Sequence, residues 1–156
     1  MKQSDEEEKY GVNYGTLSMA QEYAKNEQIE EWVQLFLRLD GKNIALADGL
    51  LLEKREYLGL MKIKLSFLKD IEEGAPEYLT QEKDKEYFFW VVENMKDGLE
   101  NWDVPPLIVE FRGNQFYVND GRHRLEMFRQ LGVEEIDVVL WATGEEDKNK
   151  VLEIIG

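Results

Sequence analysis

Apolar positions along this chain change period several times, and each change marks an element. Ile29, Trp32, Val33 and Phe36 recur at the three-and-four spacing of one helical face. Ser18 stands where an N-cap would, Gln21 follows three residues later as in a capping box, and Gly41 is a natural stop, so a helix is expected from Ser18 to about residue 39. Residues 43 to 57 stay ambiguous: Ile44 to Ala47 and Leu50 to Leu52 flank Asp48-Gly49, a pair that either turns a hairpin or breaks a helix. Met61, Ile63 and Leu65 then alternate with Lys62 and Lys64, the period of a strand with one buried face.

Gly74-Ala75-Pro76 marks a loop, Thr80 is placed to cap, and Phe88, Val91, Val92, Met95 and Leu99 trace a helical face over residues 81 to 98. Asp103-Val104-Pro105-Pro106 cannot be helix interior, because proline removes a donor and restricts its predecessor. It reads as the extended entry to the strand Leu107-Ile108-Val109, which Gly113-Asn114 turns back into Gln115 to Val118. A short helix follows Asn119-Asp120-Gly121, with Leu125, Phe128 and Leu131 expected inward and Gly132 as its C-terminal stop. Ile136 to Trp141 is a continuous apolar run of the buried-strand kind, and Val151, Leu152, Ile154 and Ile155 suggest a closing helix.

Residues 1–15 are polar and open with an acidic cluster, so they read as a flexible tail; residues 16–57 read as a helical extension and 58–156 as the main domain. The total of 156 residues with a 43% apolar fraction suits one domain with a core of its own. The chain has no cysteine, which rules out disulfides, thiolate metal sites and a thiol nucleophile. No apolar run approaches the roughly 18–20 residues of a membrane span, and no secretory h-region is present, so a cytoplasmic protein is expected.

A formal charge of −14 opposes a polynucleotide partner, DNA or RNA, over most of the surface. The cations are unevenly spread, however. Arg112, Arg122, Arg124 and Arg129, four of the six arginines, lie close together in a stretch free of lysine from Asp97 to Asp147.

Asp120-Gly121-Arg122-His123-Arg124 sits where a strand hands over to a helix. The first N–H groups of a helix lack intrahelical partners and carry partial positive charge, which favours an anion there. Gly121 permits a sharp turn and a close ligand approach, and Arg122 and Arg124 offer planar forks of donors to phosphate oxygens. His123, the sole histidine, is expected to have its pKa lowered by the flanking arginines, leaving a neutral ring able to contact a phosphate or shuttle a proton. Asp120 could take a hydroxyl proton, help hold magnesium, or cap the helix that follows. A solvated helix start with a capping aspartate and surface-paired arginines is the plainer alternative.

Val104 to Val109, the hairpin Phe111 to Val118, and Asn119 to Met127 together resemble, in order and spacing, the ParB/sulfiredoxin superfamily; the likeness extends over about residues 58 to 141. It implies an α+β fold, a small mixed-sheet domain here carrying an N-terminal helical extension. It further implies that Gly121, Arg122, His123 and Arg124 form a box for nucleotide phosphates. Sulfiredoxins place a catalytic cysteine where this chain has Arg122, which excludes their reaction. ParB proteins continue into a helix-turn-helix DNA-binding region, and with a charge of −14 this chain is not expected to bind a centromere. Free serine kinases carry a related box that Asp120, Gly121, His123 and Arg124 match in part; the second carboxylate of such a kinase would come from Asp70, Glu72 or Glu73.

The resemblance therefore implies a nucleoside di- or triphosphate with magnesium as ligand. Two activities follow from it: phosphoryl transfer or hydrolysis with Asp120 and His123 as catalytic groups, or nucleotide sensing without turnover toward a protein partner. Nuclease action fits the charge poorly. Among the tryptophans, Trp32, Trp90 and Trp141 lie in apolar stretches and are expected in the core, whereas Trp102 beside the prolines is the candidate for stacking on a base. Lys62 and Lys64 read as a solvated strand face.

Overall fold

The structure, a computed structural model, describes residues 12–68 and 81–155. The first helix expected from the sequence is broken in two. Helix α1 spans Leu17–Lys25 and is capped by Thr16, whose Oγ1 accepts from Met19 N at 3.1 Å, so Ser18 lies inside the first turn instead of capping it. Glu27 takes a φ of 59°, which ends that helix. Helix α2, Ile29–Leu35, runs into a π-helical turn, Phe36–Asp40. The ambiguous segment resolves as helix α3, Ile44–Leu50, capped by the Asn43 side chain.

Four strands form one mixed sheet in the order β1-β4-β2-β3. Strand β1, Glu56–Lys64, pairs antiparallel with β4, Glu135–Ala142. Strand β2, Leu107–Arg112, lies parallel to β4 and antiparallel to β3, Gln115–Asp120. The architecture is α+β with a mixed sheet, as expected. Leu65, read as the last strand residue, instead begins a 3-10 turn. Helix α4 spans Glu82–Gly98, α5 Arg122–Gln130 and α6 Glu145–Ile155. Gly74 to Pro76, Thr80 and the carboxylates Asp70, Glu72 and Glu73 lie outside the described residues.

The pleat decides which side chains meet which layer. Ile108, Val139 and Trp141 face the helical extension and pack with Trp32, Val33, Phe36, Leu37, Ala47 and Leu50. Leu107, Val109, Phe111, Val138 and Leu140 face the other way, toward Leu125 of α5 and Val151 of α6. Strand β4 is thus covered on both faces, which is why it reads as an unbroken apolar run. Trp32 is wholly buried and stacks on Phe36 with centroids 4.9 Å apart.

Two expectations about burial fail. Trp90 is 62% exposed and stacks on exposed Tyr87, because α4 buries Phe88 and Val92 against Met127 and leaves the Trp90 side to solvent. Leu131 is 47% exposed and is the C-cap of α5, not an inward residue.

Candidate functional site

The junction between β3 and α5 is shaped by one glycine. Gly121 has φ 109° and ψ 26°, a conformation that L side chains rarely adopt, and it is the N-cap of α5. A Cβ placed there would lie 2.8 Å from Arg124 Nη2 and 2.8 Å from Leu107 Cγ. The glycine expected to admit a ligand therefore also makes room for the chain's own arginine.

Arg124 turns inward from the first turn of α5 and is 8% exposed. Its Nη2 donates to Pro106 O at 3.2 Å and to Asp120 Oδ2 at 3.4 Å, and its Cζ lies 5.8 Å from the centroid of the Phe36 ring. Burial pushes its pKa down, while the charge and hydrogen bond of Asp120 push the other way. Arg124 Nε is buried without a hydrogen-bond partner. A buried guanidinium N–H without an acceptor is costly.

Asp120 does not cap the helix. Its Oδ1 accepts from Asn43 Nδ2 at 3.2 Å and its Oδ2 from Arg124 in the first turn of α5, and the N-cap itself is Gly121. The neighbouring Asn119 is held as well, its Oδ1 accepting from Trp141 Nε1 at 2.9 Å.

His123 is half-buried with its ring 4.5 Å from that of Phe88 on α4. Its pKa is lowered from 6.5, as expected, but burial is the larger cause and the Arg124 charge the smaller, with Asp120 opposing both. The ring is therefore neutral at pH 7. Arg122 is the first residue of α5 and is half-exposed.

The motif helix is anchored from behind. Glu126, wholly buried, accepts from Arg129 Nε and Nη2 at 2.9 and 2.7 Å and from Gln130 at 2.8 Å; Lys96 of α4 reaches Gln130 at 2.8 Å. This network ties the C-terminal half of α5 to α4.

The five motif residues are thus brought together, with Arg122 on the outer side and Arg124 on the inner. Trp102 is half-buried and lines a shallow groove of about 370 Å³ with Trp90 and Met95 on α4. Sequence reasoning missed Asn43, Phe36 and Pro106. The first two belong to the extension, and nothing in their local pattern signals a partner near residue 120. Among the described residues, no group of three or more His, Asp or Glu side chains could hold a metal ion, and no helix is long and apolar enough to cross a membrane.

No family model matches the chain, and no curated protein does. Solved structures do. A pNOB8-like ParB N-domain is similar with a TM-score of 0.41 and 20% identity, over 67% of this chain and 35% of that one. Sulfiredoxin from Arabidopsis thaliana is similar with a TM-score of 0.38 and 17% identity, over 60% of this chain and 96% of that one. A free serine kinase in complex with AMP is similar with a TM-score of 0.36 and 20% identity, over 56% of this chain and 32% of that one. This chain spans about one third of the length of the ParB N-domain chains.

Proposed function

We propose that this chain binds a nucleoside di- or triphosphate through its phosphates at the start of α5. The observation that carries the reading is the buried, unpartnered Nε of Arg124 beneath an uncapped helix N-terminus. Aligned N–H groups and a guanidinium short of one acceptor together favour a multiply charged oxyanion. Arg122, half-exposed at the first position of α5, is the outer clamp, and neutral His123 contacts a phosphate oxygen.

In the catalytic form of this reading a phosphoryl group passes to a small hydroxyl or to water, with Asp120 as the base. Positioning and charge stabilisation supply most of the rate in such reactions. Magnesium would arrive with the ligand's phosphates, since Asp120 is a single carboxylate and magnesium is commonly held by one or two carboxylates plus phosphate oxygens and water.

A second reading, nucleotide sensing without turnover toward a protein partner, is favoured by one observation. Both Asp120 oxygens already accept hydrogen bonds within the chain, from Asn43 and Arg124, which suits a structural role for this carboxylate.

A thermal-shift series with ATP, ADP, CTP, GTP and inorganic phosphate, each with magnesium, tests binding on wild type and Arg122→Ala. A nucleotide-specific rise in Tm that Arg122→Ala loses is expected. No rise with any of them on a folded protein refutes the proposal. Phosphate release in the presence of the binding nucleotide then separates turnover from sensing.

A further inference from the structure

We propose that the turn Gly41-Lys42-Asn43 of the helical extension is the second wall of the phosphate site, with Lys42 as a ligand contact and Asn43 as a positioning residue. The inference rests on the nucleotide reading above and adds to it two residues from outside the motif.

Asn43 does two jobs at once. Its Oδ1 accepts from Leu46 N at 3.3 Å and caps α3, while its Nδ2 donates to Asp120 Oδ1 at 3.2 Å across 77 residues of sequence. The second contact has a consequence at α5. A carboxylate beside a helix start is attracted by the partial positive charge of the first N–H groups. Here Asn43 and Arg124 engage both Asp120 oxygens, and the N-cap of α5 is a glycine, which has no side chain to cap with. Those N–H groups are thereby kept for a ligand, beside the unpartnered Arg124 Nε.

Lys42 precedes Asn43 in the chain, so its Cα lies about 3.8 Å from that of Asn43. It is exposed, and it has a φ of 51°, the left-handed region where glycine would be easier to accommodate. The turn is pinned on both sides of it, by Gly41 N to Phe36 O and by Asn43 N to Leu37 O, both at 2.7 Å. Lys42 forms no ion pair among the described residues. A lysine kept in a strained backbone position next to a residue that touches the motif matches the tendency of such strain to gather at ligand sites. Its flexible four-carbon stem suits an ammonium meeting a phosphate as a point charge.

Two substitutions separate this role from a structural one. Asn43→Ser keeps a side chain that caps α3 equally well but is too short to reach Asp120. Lys42→Gly relieves the left-handed backbone. Calorimetric titration with the nucleotide found in the thermal-shift series, and with inorganic phosphate, is the readout. Asn43→Ser is expected to weaken nucleotide affinity about 10-fold, the scale of one hydrogen bond to a charged group, with Tm within a few degrees of wild type. Lys42→Gly is expected to weaken it about 5-fold, the scale of a surface charge contact, with Tm equal to wild type or higher. If Arg122→Ala loses binding while both extension variants bind as wild type does, the inference is overturned and the nucleotide reading stands. If wild type binds neither nucleotide nor phosphate, both fall.

Discussion

Replacing Gly121 with alanine tests whether this glycine is required by the chain's own packing. Two costs add. The backbone at φ 109° is one an L residue enters at roughly 1–2 kcal/mol. The new Cβ would also sit 2.8 Å from both Arg124 Nη2 and Leu107 Cγ. Neither neighbour can easily give way. Leu107 is wholly buried, and Arg124 is held by Pro106 and Asp120. Overpacking of this kind costs about 1–3 kcal/mol, so the sum is about 2–5 kcal/mol, a large part of the roughly 5–15 kcal/mol that stabilises an ordinary domain. In urea, with a slope of about 2 kcal/mol/M, the midpoint should fall by roughly 1–2.5 M at an unchanged slope. Gly98→Ala is the control: a Cβ there meets nothing within 4 Å and the residue has φ −93°. It should be neutral or stabilise by about 0.4–1 kcal/mol. A loss below about 1 kcal/mol for Gly121→Ala would refute the packing account and leave ligand approach as the reason for the glycine.

Protonation of His123 should lower stability in acid. Its folded pKa lies below the unfolded 6.5, so the unfolded chain binds the proton first; the stability present above pH 6.5 is lost as pH falls from there through the folded value. His123→Phe, which keeps the ring against Phe88, should show a shallower fall in Tm from pH 7 to 5 than wild type, and equal slopes would contradict the assignment. In the pair Glu126–Arg129, removing the arginine leaves a wholly buried carboxylate short of its main partner, so Arg129→Ala should cost about 3 kcal/mol or more by denaturant titration. Replacing the carboxylate by Glu126→Leu should cost less, because the arginine left behind can reach water; the reverse order would overturn the account. Tyr57 has a buried hydroxyl with no partner and a pKa pushed up to about 12, with burial as the main cause. Tyr57→Phe should therefore be neutral or stabilising by up to about 1 kcal/mol, and a clear loss of stability would show that the hydroxyl has a partner.

Several elements that rest on a periodic pattern or a local backbone rule were legible in the sequence alone. The β2–β3 hairpin follows from two prolines, an apolar run and Gly113-Asn114, and helix α4 follows from Phe88, Val92 and their three-and-four spacing. The placing of Asp120 to Arg124 at a strand-to-helix junction follows likewise, since Gly121 and the change of period fall together. Tertiary structure decided what these elements face. Trp90 and Phe88 are both large, apolar and on one helix, yet only contact with α5 selects Phe88 for burial. Arg124 and Arg122 are alike in sequence context, but the two-residue step between them turns the helix by about 200°, which aims Arg124 at Pro106 and Phe36 while Arg122 stays half-exposed. The contact from Asn43 to Asp120 spans 77 residues. No local pattern encodes such a meeting, because it exists only after the extension has packed its apolar face onto Ile108, Val139 and Trp141.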